Sequence, residues 1–231
     1  MLSCWPGIEM SSWWEKLLMP LLNFVVFTLF PAPLSFKRAD PSLGVAHGAC
    51  ILVRGNIYRQ IDGHRLVRSE MFEDTRLALA WRSAGQCSHC LDGQDVVRVR
   101  MYRSFSGIWN GFLKNFRPAF RSPVGFWLFM LLHATVFLAP FAVLAAGLMV
   151  GSAPVAIITA AASVLAMRFA LAFRFGHPLW SAALHPLGEA LLIACGLRSW
   201  WMCRSGAGVE WKGRRYMTAE SNVERTGDER S

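Results

Sequence analysis

Charged side chains are scarce in this sequence. They make up 17% of the 231 residues, against 54% hydrophobic residues. An ordinary soluble domain carries about a quarter charged residues, so this composition excludes that class and indicates an integral membrane protein. Acidic residues are the scarcer kind, 15 against 24 Lys and Arg, which gives a formal charge of +9. Such basic charge outside the apolar runs is typical of the cytoplasmic face of a membrane protein.

Motifs for nucleic-acid binding and for structural zinc are also lacking. The sequence contains no recognisable nucleic-acid-binding motif and no basic helix that would enter a groove, so nucleic acid is not an expected partner. Cys87 and Cys90 have the spacing of a metal clip, but a structural zinc site needs four ligands, usually from two such pairs. The sequence therefore predicts reduced thiols and no metal ligands in this chain.

Apolar runs divide the chain into four parts. Residues 1–34 predict an interfacial or re-entrant apolar helix, because prolines interrupt a run that is already short for a membrane span. A true span is the alternative. Residues 35–121 form a polar, net basic region, residues 122–200 carry two or three transmembrane helices, and residues 201–231 form a basic tail. We expect an integral protein of the bacterial inner membrane with residues 35–121 in the cytoplasm.

Two long apolar runs predict a transmembrane hairpin. They are Gly125–Val150 and Val155–Phe173, joined by an uncharged turn that we place outside. A third apolar segment, Leu179–Leu197, contains Glu189, and an ionisable residue inside a membrane is a functional candidate. The segment either spans fully or consists of two half-helices broken at Pro186. The second alternative returns the tail to the cytoplasm, which its basic residues favour.

The polar region shows alternating strand and helix patterns. Gly48–Val53 reads as a short buried strand. Asp62-Gly63 indicates a turn. Met71–Ala84 predicts a helix closed by Gly85, with Leu77, Ala80, Trp81 and Ala84 on one face. Asp95–Tyr102 alternates as a strand, and Trp109–Phe120 predicts an amphipathic helix on the membrane surface.

Several short motifs follow one another in a definite order. They are Trp13–Pro20, His47–Arg54, Ile61–His64, Glu73-Asp74, Val99–Ser104, Gly111–Asn115 and Trp211–Tyr216. In this order the chain resembles the acceptor-side half of family-two membrane glycosyltransferases, which are inverting enzymes with a GT-A fold. It is most similar to the ceramide, hopanoid and carotenoid glucosyltransferases, which glycosylate lipids. The resemblance implies an α+β membrane protein in which a partial GT-A-like α/β cytoplasmic region precedes two or three transmembrane helices.

The resemblance assigns catalysis to the Glu73-Asp74 pair, with Asp74 as general base. Inverting transfer needs one carboxylate to take the acceptor proton, and backbone N–H groups at a helix start would keep Asp74 ionised. A simple helix cap is the alternative role of Asp74. Further residues are expected to bind substrate: Gly48, Arg98, Arg100, Trp211, Lys212 and Arg214. The two strand arginines would contact diphosphate or form a solvated face, and the tail residues would contact phosphates or lipid head groups.

An Asp-x-Asp motif is missing from all 231 residues. In the family this motif lies in a donor-binding half and holds a divalent metal on the donor diphosphate. We therefore expect no cofactor in this chain, and Mg²⁺ or Mn²⁺ and a nucleotide sugar only if a donor half is supplied. The expected partners are membrane lipid and a lipid acceptor. The chain is then a partial transferase, inactive alone, or one half that pairs with a donor-binding chain. The alternative is a non-catalytic small membrane protein that uses its basic cytoplasmic face as an anchor or assembly partner.

Overall fold

The computed structural model describes residues 1–68, 70–120 and 122–205, together with the backbone of 209–211, 214–216 and 224–225. The chain has a mixed α+β fold, as predicted. It divides into two compact units. The first comprises Met1–Ser11 and Leu22–Arg103, and the second comprises Ser12–Leu21 and Ser104–Ser231. The first unit thus ends at Arg103, earlier than the predicted polar region ends.

A three-stranded sheet organises the first unit. Its strands are β1 (Leu2–Ile8), β2 (Ile51–Leu52) and β3 (His89–Val99), in the order β2-β1-β3. β1 pairs antiparallel with β2 and parallel with β3. The prediction of one apolar helix over residues 1–34 is therefore wrong, because residues 2–8 form the central strand. The predicted buried strand at Gly48–Val53 shrinks to the edge strand β2, in which Leu52 is 66% exposed.

Helices follow the sheet strands of this unit. They are α2 (Pro20–Leu29, whose first two residues belong to the second unit), α3 (Ala32–Lys37), α4 (Gly55–Gln60), α5 (Gly63–Leu66) and α6 (Glu73–Ser83). The predicted turn is confirmed, since Asp62 and Gly63 have φ of 61° and 46°. The predicted helix before Gly85 is confirmed as α6. Its buried residues are Leu77, Ala78, Trp81 and Arg82, so the buried face is rotated from the predicted one.

Arg82 lies on the buried face of α6, where only apolar residues were predicted. Its side chain is 3% exposed. The guanidinium donates to the carbonyls of Asp40 at 2.8 Å and Ser88 at 2.7 Å, and also to those of Ser35 and Arg38. Burying a charge is costly unless its donors are used. Here the guanidinium N–H groups hold the backbone of residues 35–40 against α6. These hydrogen bonds compensate for a small apolar core.

The second unit is built from helices. They are α1 (Trp13–Leu18), α7 (Phe105–Phe116), α8 (Pro123–Leu132), α9 (Ala139–Met149), α10 (Val155–Phe175), α11 (Leu179–Ala183) and α12 (His185–Arg204). A π-helical segment, His133–Leu138, joins α8 to α9. Within the described residues two helical runs are long and apolar enough to cross a membrane, Pro123–Met149 and Val155–Phe175. Both predicted hairpin helices are thus present.

Two interruptions in these helices have local causes. Pro140 has no N–H, and in a regular α-helix its ring would collide with the carbonyl four residues earlier. The π-helical segment widens the helix at this point and ends shortly before Pro140. The third apolar segment breaks at Leu184, between α11 and α12. This agrees with two half-helices, although the break precedes Pro186, which becomes the second residue of α12.

The tail forms a small antiparallel sheet of β4 (Val209–Trp211), β5 (Arg214–Tyr216) and β6 (Glu224–Arg225). Trp211 pairs with Arg214 between β4 and β5. The predicted binding residue Lys212 lies outside the described residues.

Candidate functional site

Asp74 connects helix α6 to a loop from another part of the chain. It is the second residue of α6, and the N-cap position is occupied by Phe72. Its Oδ1 accepts from the Thr75 N–H and its Oδ2 accepts from the Gly48 N–H, both at 2.7 Å. The alternative that Asp74 is simply the helix N-cap is therefore wrong, because one of its two contacts lies 26 residues away.

The loop that carries Gly48 is held from both sides. On one side the backbone of Gly44 packs against α6, where an added Cβ would lie 2.8 Å from the Leu79 nitrogen. Thr75 Oγ1 also donates to the Ala46 carbonyl at 3.3 Å. On the other side Ser3 of β1 accepts from the His47 N–H at 2.9 Å and donates to the His47 carbonyl at 3.2 Å. These contacts set the position of the Gly48 amide.

His47 lies beside Asp74, and sequence analysis assigned it no role. Its Nδ1 accepts from the Ala49 N–H at 3.2 Å, so Nε2 carries the proton of the neutral ring. The ring packs edge-on against Trp5, with 5.2 Å between centroids. Burial lowers the pKa of His47, although the Asp74 charge acts in the opposite direction. No spacing in the sequence marks this residue, because its environment depends on β1.

The Asp74 carboxyl lies in a poorly solvated environment. Burial raises its pKa, while the Thr75 and Gly48 amides and the His47 side chain oppose the rise and Glu73 adds to it. Burial is therefore the largest influence on this pKa, and the two backbone amides oppose it. A raised pKa makes the ionised carboxylate a stronger proton acceptor. The other predicted catalytic residue, Glu73, is exposed on the first turn of α6.

Access to Asp74 depends on Gly48, which is itself exposed. A Cβ at residue 48 would lie 3.4 Å from Asp74 Oδ2. Each carboxylate oxygen offers two lone-pair sites, and the amide contacts described above occupy one site on each. Glycine therefore leaves Oδ2 approachable by a small polar group.

Arg98 and Arg100 lie elsewhere on the sheet. Both are exposed, and Arg98 pairs opposite Gly7 of β1. Ser3, which contacts the Asp74 loop, is four residues earlier on the same strand, about 13 Å away. The structure thus separates Arg98 from Asp74, and Arg100 follows the end of β3. For Trp211 and Arg214 it describes the backbone alone.

Two other features of the described residues do not belong to this site. A pocket of about 630 Å³ in the first unit is lined by residues that include Leu52, Arg54, Trp81 and His89, and Asp74 is not among them. No three His, Cys, Asp or Glu side chains converge as metal ligands in residues 1–68, 70–120 and 122–205.

A second polar cluster lies inside the helical unit. His133 and Glu189 are fully buried, with 2.5 Å between Nδ1 and Oε1. Arg168 of α10 is also buried, interacts with the Glu189 charge and donates to the Pro20 carbonyl at 3.1 Å. His185 Nε2 lies 3.1 Å from the Phe137 carbonyl. The candidate residue Glu189 thus connects α12 to the π-helical segment and to α10.

Neither a protein-family model nor a curated protein nor a solved structure matches this chain.

Proposed function

We propose that this chain is the acceptor-side part of a membrane glycosyltransferase that transfers a sugar to a lipid with inversion. The observation that carries the proposal is the Asp74 carboxylate, held by the amides of Gly48 and Thr75 with an exposed glycine beside Oδ2. A positioned carboxylate of raised pKa is suited to remove a proton from a hydroxyl group.

The proposed reaction needs one proton transfer at Asp74. The acceptor hydroxyl gives its proton to Oδ2 while its oxygen attacks the anomeric carbon of the sugar. The bond from that carbon to the donor diphosphate breaks, and the diphosphate leaves with the bonding electrons. Attack from the face opposite the leaving group inverts the anomeric configuration. His47, beside Asp74, supports the ionised carboxylate because its side chain lowers the pKa of the acid.

We assign donor binding to a half that carries Asp-x-Asp, a motif absent from these 231 residues. We therefore expect nucleotide-sugar and metal binding only where such a half is supplied, and expect the 231 residues alone to be inactive.

The apolar helices supply the lipid side of the proposal. We propose that Pro123–Met149 and Val155–Phe175 cross the bacterial inner membrane as a hairpin with the first unit in the cytoplasm. Trp13 is 46% exposed and stacks on Trp180 at 5.7 Å. Partly exposed indoles are typical of the membrane interface, where a lipid acceptor would present its hydroxyl.

Transfer by the natural protein, extracted from its own membranes, tests the proposal. Intact mass identifies any additional sequence or partner chain, and labelled nucleotide sugars then report transfer to the co-extracted lipids. We expect Asp74→Asn to lower the rate by about 10²- to 10⁴-fold. The control Asp95→Asn, an exposed acid of β3, should leave the rate unchanged.

Gly48→Ala provides a second variant that keeps the Asp74–amide hydrogen bond. Its added methyl covers Oδ2 at 3.4 Å, so transfer should fall while thermal stability changes little. Wild-type rates in Asp74→Asn would refute the assignment of the base.

The non-catalytic alternative is an anchor or assembly protein with a basic cytoplasmic face. It is favoured by the structural use of Asp74, which connects α6 to residues 44–48. On this alternative the natural protein transfers no sugar with any donor, and Asp74→Asn alters only thermal stability. Detection of lipid glycosylation that depends on Asp74 would exclude it.

A further inference from the structure

Two cysteines face each other across the edge of the first sheet. The antiparallel register pairs Leu2 with Leu52 and Ser3 with Ile51, so Cys4 comes opposite Cys50. The Cys4 N–H donates to the Cys50 carbonyl at 3.2 Å. Directly opposed residues of an antiparallel pair have Cα atoms about 4.5–5.5 Å apart, which lies within the range found in disulfides.

Both thiols can be reached by a small oxidant. Cys4 and Cys50 are partly exposed, and all six cysteines are free thiols. The neighbouring strand leaves room for the Cys4 side chain, because a Cβ at Gly93 would lie 2.6 Å from the Cys4 Cβ. Cys90 is the third thiol near this edge. Burial raises its pKa to about 11, which makes it a poor competitor.

The two facing cysteines are next to the residues that position Asp74. Ser3, adjacent to Cys4, holds both backbone groups of His47. Gly48, two residues before Cys50, donates its amide to Asp74. A covalent bond between Cys4 and Cys50 would therefore join β1 to the chain two residues after Gly48, next to the contacts that set the position of the Asp74 loop.

We propose that Cys4 and Cys50 form a reversible disulfide that restrains the 47–50 loop. A peroxide oxidises one thiol to a sulfenic acid with loss of one water. The second thiol then attacks that sulfur and releases a second water, so two thiols and one peroxide give one disulfide. A dithiol reductant reverses the reaction by exchange. Disulfides of cytosolic proteins are commonly transient and redox-sensing. The bond itself is independent of the proposed function, whereas its consequence for catalysis rests on that function.

Peptide mapping of the full chain in detergent tests the bond. Trypsin releases Cys4 in fragment 1–16 and Cys50 in fragment 39–54, each as its single cysteine. After hydrogen peroxide and thiol blocking, we expect these two fragments to be joined, and dithiothreitol to separate them. Because burial raises the pKa of Cys4, joining should be faster at about pH 9 than at about pH 7.

Variants define which outcome overturns the proposal. Cys4→Ser and Cys50→Ser should each abolish the joined peptide, and the exposed Cys87→Ser should leave it unchanged. No joined peptide, or fragment 1–16 joined instead to fragment 83–98, which carries Cys87 and Cys90, would refute the pairing. Amide exchange of residues 47–50 gives the second readout. We expect slower exchange in the oxidised protein, and equal exchange would refute the restraint whether or not the chain transfers sugar.

Discussion

Glu189 offers a sharp test of how the helical unit is held together. Its carboxylate is fully buried, contacts His133 at 2.5 Å and interacts with the buried charge of Arg168. Glu189→Leu keeps the approximate volume but removes the hydrogen-bond partner of His133 and the carboxylate charge that acts on Arg168. Breaking a buried ion pair by removing one partner costs about 3–5 kcal/mol.

The structure favours the lower end of that range. Arg168 keeps its donor contact with the Pro20 carbonyl at 3.1 Å, which stabilises its charge in part. We therefore expect a loss of about 3 kcal/mol, or roughly 6 to 12 °C in melting temperature for a chain of this size. The loss should show in thermal unfolding in detergent followed by tryptophan fluorescence.

A double variant separates charge from packing. Arg168→Met combined with Glu189→Leu removes both charges, so the pair should lose less stability than Glu189→Leu alone, with a coupling energy of about 2 kcal/mol. Leu187→Ala, at a position that is 45% exposed on the same helix, should stay close to wild type. Purely additive losses in the double variant would refute the argument that Glu189 compensates Arg168.

Three further predictions concern the first unit. Arg82→Met removes the guanidinium donor from four backbone carbonyls, of which that of Asp40 keeps the Leu43 N–H, and should lower the free energy of unfolding by about 3 kcal/mol in a urea titration. The exposed Arg98→Met should change it by less than about 0.5 kcal/mol. Gly44→Ala places a methyl 2.8 Å from the Leu79 nitrogen, and we expect a loss of about 1–3 kcal/mol in the same titration. Because the pKa of Asp74 is raised in the folded state, its protonated form stabilises the fold. This stabilisation is fully present below the unfolded pKa of about 3.9 and is lost as the pH rises through the folded pKa. Asp74→Asn should remove this part of the pH dependence of the urea midpoint, and an unchanged profile would contradict the assigned shift.

The apolar helices could be predicted from sequence because their signals are local. Length and composition identify both members of the hairpin, and their ends also have local markers. Ser122 caps α8 with Pro123 at its first position, and Gly176 ends α10 with φ of 63°. Ser12 and Glu15 form a capping box at the start of α1, a signal that was also readable in the sequence.

The central strand could not be predicted in the same way. β1 contains Pro6 and Gly7, which are both unfavourable in strand interiors. Its pairing partner β3 lies more than 80 residues later, and the register changes between Pro6 and Gly7. No local pattern encodes a contact of that sequence separation. The interpretation of the first residues as interfacial therefore followed from composition alone.

The site was also predicted incompletely, because its contacts join residues that are far apart in the sequence. Asp74 was identifiable because an acid before a helical pattern is a local feature. Its partner loop is set by Ser3 and by the close approach of Gly44 to α6, and both depend on the tertiary fold. His47 and Ser3 were missed for this reason, and Arg98 and Arg100 were included although β3 carries them away from Asp74.

The position of Asp74 bears on its function more than its hydrogen bonds do. A carboxylate needed only as a cap would stand at Phe72, where its oxygens could accept from the next turn of the helix. At the second helical position Asp74 instead binds an amide from a distant loop, and burial raises its pKa. A raised pKa means that folding disfavours the ionised acid, so Asp74 costs stability at neutral pH that an uncharged residue would not. That cost is consistent with the proposed role of Asp74 as general base, for which a pKa nearer the working pH is favourable. The exposed Gly48 beside Oδ2 fits the same proposed role, because a Cβ there would contact that oxygen at 3.4 Å.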